Sequence, residues 1–360
     1  MAISLEPAAG TSEETILIAT TRERSEQENT LYGGERGNSV LDFASVTVSI
    51  PPTHVPGEIE WPSSPPGDPE TDFVVRNADF IDGSAQFTGA LRRQIAKRPF
   101  EQRSSMVFIH GYNTLFAEAI FRYAQFSHDS EFAGVPVLFT WASRGDVTNY
   151  VYDSNSATIA RDGLEELLLT VSNNTPDSVY IVAHSMGNWT LLETLRQMKI
   201  DGNNILENKR VFVVLAAPDV DVDVFKQQLK RIGPTANPFV VMLSRDDRAL
   251  RLSRRIAGGK DRVGAYVNDE ELADLGVIVL DLTDVQSNDA SRHTKFAEIA
   301  SDIPQIRQLI RKNSIGRRAK DRTFSSTFAT AGQGVGTIIG RATDVVITLP
   351  RTLLTPNTTR

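Results

Sequence analysis

The chain has 360 residues, with 38 Lys or Arg against 45 Asp or Glu (formal net charge −7) and no cysteine. A hydrophobic fraction of 40% is enough for a sizeable core, and the lack of cysteine excludes disulfides and thiolate metal sites, so the fold must rest on packing. No apolar run reaches the roughly 18 residues of a spanning helix, and Met1–Pro7 shows no basic stretch followed by an apolar one, so no signal peptide and a cytoplasmic location are expected.

In chain order, Ile16–Ala19 and Val46–Ile50 read as early strands. Residues 51–72 are rich in proline and glycine and predict an ordered surface loop or lid-like excursion, not a linker. A buried strand from Met106 ends at His110-Gly111, and Phe116–Phe126 reads as a helix. Val135–Trp141 is the next strand, and Ser156–Val171 carries apolar positions at helical spacing. Val179–Val182 is a strand, Ala183-His-Ser-Met-Gly187 a tight turn, and Asn188–Met198 a helix. Strands at Val211–Leu215, Pro238–Ser244 and Gly276–Leu282 follow. Strands alternating with helices predict an α/β fold with a mostly parallel central sheet flanked by helices. Residues 1–100 are read as N-terminal strands and a loop of the same domain, 101–310 as the catalytic core, and 311–360 as a C-terminal arm. That arm is basic, with nine Lys or Arg and two Asp, whereas the other residues are net acidic.

Ala183–Gly187 has small residues two before and two after Ser185, as a nucleophile elbow requires, because strand and helix backbones pass closely there. A serine on such a turn stands beside a helix N-terminus, which stabilises negative charge. Of five histidines, only His293 lies beyond the elbow region, in a loop after the last strand, so it is the expected base. The acid is expected in the turn after Pro238–Ser244. Asp247 is favoured over Asp246, which would cap the turn, and Asp219 is an outside candidate. The backbone N–H groups of Tyr112 and Met186 are the expected oxyanion donors, with Gly111 leaving the hole unfilled. His110 reads as a structural hydrogen-bonding residue, and Asn113 as a brace or an ordinary turn residue. Trp141, Tyr112 and His184 are the candidate substrate-binding residues. Tyr150 and Tyr152 are further aromatic candidates, with core packing as the competing reading.

These blocks resemble the alpha/beta-hydrolase proteins of the DUF900 group, often labelled esterase/lipase superfamily enzymes. The likeness is carried by Ile18-Ala-Thr-Thr-Arg22, Val48-Ser-Ile-Pro51, Val107-Phe-Ile-His-Gly-Tyr-Asn113, Phe139-Thr-Trp-Ala-Ser143, Ala183-His-Ser-Met-Gly187, Asp247-Arg-Ala-Leu250 and His293. The resemblance implies an alpha/beta-hydrolase fold and a Ser185–Asp247–His293 triad, and implies little about substrate. Ser291-Arg-His-Thr294 departs from the pattern just after the histidine.

The expected activity is carboxylic-ester hydrolysis through an acyl-enzyme, with no metal or cofactor. The alternatives are a lipase or phospholipase held at a membrane by residues 311–360, and a non-catalytic hydrolase-fold binding protein. The glycine spacing in residues 311–360 makes a poor amphipathic helix, so packing on the acidic body or on a second subunit is favoured over the membrane contact. An acidic body without base-stacking aromatics in its basic run argues against nucleic acid.

Overall fold

The computed structural model describes residues 2–6, 8–27, 29–37, 41–304, 335–339 and 344–350. The strands are β1 (Ser12–Thr20), β2 (Arg22–Arg24), β3 (Tyr32–Arg36), β4 (Asp42–Ile50), β5 (Val74–Ile81), β6 (Ser105–Ile109), β7 (Val135–Thr140), β8 (Val179–His184), β9 (Val211–Ala216), β10 (Val240–Leu243), β11 (Ile278–Asp281), β12 (Val335–Ile339) and β13 (Asp344–Thr348). The helices are α1 (Gly83–Ala96), α2 (Phe116–Asp129), α3 (Tyr150–Ile159), α4 (Arg161–Asn174), α5 (Gly187–Asp201), α6 (Val222–Ile232), α7 (Arg248–Ile256), α8 (Asp269–Asp274) and α9 (Lys295–Glu298).

Eleven of these strands form one sheet in the order β12-β13-β11-β10-β9-β8-β6-β7-β1-β4-β5, and β2 and β3 form a separate hairpin. The stretch from β11 to β1 is parallel, and β4, β5, β13 and β12 add antiparallel edges. Every residue of β6 and β7 is buried, as continuous apolar strands require when helices cover both faces of a sheet. Alternation along β6 sends Val107 and Ile109 into a core with Leu164, Leu191 and Phe225, from α4, α5 and α6. Met106 and Phe108 face the other core, with Tyr123 and Phe126 of α2 and Phe296 of α9.

The 51–72 segment does not stand away from the body as a lid. His54 lies between Glu60 (Nδ1–Oε2 2.8 Å) and Asp129 of α2 (Nε2–Oδ1 2.8 Å). Gly57 N–H donates to Asp129 Oδ2 (2.7 Å), and Trp61 packs on Phe121 at 5.2 Å. Burial lowers the His54 pKa, but the two carboxylates outweigh it and raise it above 6.5. Asn288 Nδ2 donates to Glu58 Oε1 (2.7 Å), so this strap also braces the loop that leads to His293.

Two differences from the sequence reading have clear causes. The helix read over 156–171 starts earlier and is divided near Ala160 into α3 and α4, with Asp153 and Ser156 of α3 turned inward. Part of the region read as a C-terminal arm is sheet, with β13 pairing β11 and burying Val345 and Ile347. The basic run from Arg311 to Arg322, on which the expected membrane contact or self-association rests, lies outside the described residues. Among the described residues, no helix is long and apolar enough to cross a membrane.

Candidate active site

β8 delivers Ser185 to the carboxyl edge of the sheet, and α5 begins two residues later. Ser185 has φ +53°, a left-handed conformation that costs a non-glycine residue about 1–3 kcal/mol and persists only where surroundings enforce it. Those surroundings are specific. Ser185 N–H donates to Ala216 O (3.0 Å), and its carbonyl accepts from Asp219 N–H (3.2 Å) and Asn188 Nδ2 (3.0 Å). A Cβ on Gly111 would lie 2.6 Å from Ser185 Cβ, and one on Gly187 would lie 2.8 Å from Ile109 O. Both glycines are therefore required by close backbone approach.

Of the two aspartates after β10, the one that meets His293 is Asp247. Its Oδ2 lies 2.6 Å from His293 Nδ1, while Oδ1 accepts from Leu250 N–H (2.9 Å) and caps α7. Asp246 is used elsewhere. It pairs with Lys295 (2.8 Å) and Arg292 (2.6 Å) and bonds the Ser244 hydroxyl. Burial raises the Asp246 pKa, but these partners win and hold it at about 2. Burial likewise lowers the His293 pKa, and the facing carboxylates, Asp247 first and then Asp219 and Asp289, leave it raised above 6.5. No hydrogen bond joins the Ser185 hydroxyl to His293 among the described residues.

Sequence reasoning passed over Asp289, which builds the His293 loop. Its carboxylate accepts from the backbone N–H groups of Ser291 (2.9 Å), His293 (2.9 Å) and Thr294 (3.2 Å) and from both hydroxyls. Burial opposes its ionisation, yet these donors hold its pKa at about 2. The Ser-Arg-His-Thr departure at 291–294 is thus a local design around Asp289: Ser291 and Thr294 are its hydroxyl partners.

The structure corrects the substrate-binding expectation for Trp141. Trp141 is wholly buried, stacks on His110 at 4.9 Å and donates Nε1–H to His110 O (3.1 Å). It therefore packs under the His110 turn and has no surface to offer an acyl chain. His184 lies between His293 and Phe296, each ring 4.6 Å away, with Nε2 3.2 Å from His293 O. Burial, and then the facing His293, keep its pKa well below 6.5, so it is a neutral donor supporting the histidine loop. Tyr152 is engaged by Glu35 and by the guanidinium groups of Arg36 and Arg144. Tyr112 and Tyr150 meet edge to face at 5.2 Å, with Tyr150 OH reaching Asp219 (3.4 Å) and Ser253 (3.2 Å). Asp219 is ion-paired with Arg262 (3.2 Å) and does not pair directly with His293.

The turn after β6 is held by a buried charged clamp. Arg22 donates to Thr140 Oγ1 (2.8 Å), Gly33 O (2.9 Å), Ser143 O (2.9 Å) and Thr114 O (2.8 Å). Burial lowers its pKa to about 10, with Asp153 offsetting part of the effect, so it is charged at neutral pH. Asp153 accepts from Asn113 N–H (3.1 Å) and the Ser143 hydroxyl (2.6 Å). His110, whose pKa burial and then Arg22 depress to about 3, is neutral and accepts at Nε2 from Trp141 N–H (3.1 Å). Between these anchors, the Tyr112 N–H has no acceptor among the described residues, and neither has the Met186 N–H. Arg22→Met strands these carbonyls and Asp153, and is expected to cost about 3–5 kcal/mol of stability. Urea unfolding checks this: a lower midpoint at unchanged slope is expected, and a change under about 1 kcal/mol contradicts the clamp. No group of three or more His, Asp or Glu among the described residues is arranged to hold a metal ion.

A parallel sheet covered on both faces, with an elbow serine and an Asp–His pair at its carboxyl edge, defines the chain as an alpha/beta hydrolase. The family model described as an alpha/beta hydrolase of unknown function (DUF900) matches residues 84–313, and the chain belongs to that family. Membership supports hydrolase activity in general terms. No curated protein matches the chain.

Proposed function

We propose that the protein is a serine hydrolase that cleaves carboxylic esters through an acyl-enzyme. The observation that carries this reading is the 2.6 Å Asp247–His293 pair at the same sheet edge as a serine in left-handed conformation. In this reading His293 accepts the Ser185 proton as the hydroxyl oxygen attacks the acyl carbonyl. Asp247 fixes the tautomer with Nδ1–H toward itself and stabilises the imidazolium. In this reading the oxyanion is received by the N–H groups of Tyr112 and Met186, which meet no acceptor among the described residues. His293 then returns the proton to the leaving alcohol, and a water activated by the same imidazole hydrolyses the acyl-serine, regenerating Ser185.

The base must be neutral to act. The raised His293 pKa therefore predicts that kcat/KM for a soluble acyl ester climbs with pH through a value above 6.5 and then levels off. The pH–rate profile of hydrolysis checks this. Absence of turnover, or a profile flat through that region, contradicts the assignment.

A further inference from the structure

Residues 248–262 hold six Lys or Arg and one Asp, in a chain of net charge −7. The segment opens with α7, capped by Asp247, which buries only Leu250 and Ser253. At about 100° per residue, Arg248, Arg251 and Arg255 fall on the opposite face, with Leu252 and Ile256 on one flank. Both aliphatic side chains are 50% exposed. Arg254 and Lys260 are occupied by Asp261 and Asp223. Arg248 and Arg251 reach only backbone carbonyls, and none of Arg248, Arg251 and Arg255 has a carboxylate partner among the described residues.

This face starts beside the His293 loop: Arg248 donates from its backbone N–H to Ser291 O (2.9 Å) and from Nη1 to Ala290 O (3.2 Å), while the buried side of α7 faces α3. Ser253 meets Tyr150 OH at 3.2 Å, Tyr150 meets Tyr112 edge on, and Tyr112 OH donates to Val147 O (2.5 Å). Val147 (58% exposed) and Val151 (69%) protrude at the start of α3, before and after Tyr150 in the chain. The surface beside the His293 loop therefore combines guanidinium groups that have no carboxylate partner among the described residues with protruding aliphatic side chains.

We propose that this surface docks on an anionic lipid–water interface, and that the ester attacked by Ser185 is presented from that interface. The proposal rests on the hydrolase reading above for its second part only. Guanidinium groups suit lipid phosphates, and a few aliphatic side chains give shallow insertion. α7 exposes no aromatic side chain, either to anchor a protein interface or to stack bases.

Sedimentation of the full-length Ser185→Ala protein with phosphatidylcholine vesicles, with and without phosphatidylglycerol, tests the docking apart from catalysis. Binding to the phosphatidylglycerol-containing vesicles, reversed by salt, is expected. R251E/R255E should weaken it by about tenfold or more, and L252S/I256S should weaken it as well. With Ser185 present, both double variants should keep turnover of a soluble ester and lose turnover of an ester carried in anionic vesicles. Equal binding to both vesicle types overturns the proposal, as does binding undiminished in the variants, which would place the contact elsewhere in the chain. Self-association lost in R251E/R255E without vesicle binding overturns it in favour of a protein interface. Vesicle binding through these residues in a wild type that turns over no ester upholds the docking surface and overturns the hydrolase reading instead.

Discussion

Ser185→Ala is expected to lower kcat for a soluble ester by about 10⁶-fold, with KM little changed, because nucleophile and base act as one unit. The effect should be chemical and not structural. Ser185 is 4% exposed, and the contacts that hold its backbone come from its own N–H and C=O, not from its hydroxyl. Alanine keeps those contacts and accepts the same backbone strain, so the unfolding midpoint should stay close to that of the wild type. Residual turnover of about 10³-fold over water would be consistent with intact oxyanion donors. Side-by-side kinetics and thermal unfolding of the two proteins check both halves. A variant that retains even a tenth of wild-type kcat contradicts the assignment.

Asp247→Asn should cost about 10⁴-fold in kcat. Asp247 has two tasks at once: one oxygen faces His293, and the other caps α7 at Leu250. Asparagine at the N-cap retains the second task, since its side-chain oxygen still accepts from the helix. Its amide group then turns an N–H toward His293 Nδ1, which stabilises the wrong imidazole tautomer. The predicted signature is a folded protein with depressed kcat. Asp246→Asn provides the contrast, because Asp246 serves Lys295 and Arg292 and does not touch His293. A smaller loss in Asp247→Asn than in Asp246→Asn would show that the acid had been assigned to the wrong aspartate.

Much of this organisation was legible in the residues. The strands at the centre of the sheet are short apolar runs bounded by turn residues, and burial on both faces leaves little other reading for them. The elbow was legible because steric rules fix its residue types: Gly111 and Gly187 stand where any side chain would strike backbone or Ser185. Asp247 lies three residues past Ser244, a spacing legible in the sequence, and the fold adds a reason, since Asp247 and not Asp246 is the N-cap of α7. What stayed hidden depended on long-range partners. Arg22 is one charged residue after a strand until the fold surrounds it with carbonyls from β3 and from two separate loops. Trp141 ends a strand at the right edge for a ligand pocket, but its depth is set by His110 stacking above it. His54 sits in a proline-rich loop whose fastening to α2 needs Asp129, 75 residues away. Asp289 shows the same limit at short range: its turn is local, yet its value comes from orienting a histidine whose partner lies on another strand's exit.

The central claim is that Ser185 is an activated nucleophile, and covalent labelling by a fluorophosphonate probe tests it most directly. Intact-mass and peptide mapping of the folded wild type should show a single adduct on Ser185, and His293→Ala should remove it. A folded wild type that takes no adduct, or takes it on another residue, or a His293→Ala variant that labels as fast as the wild type, would contradict the account.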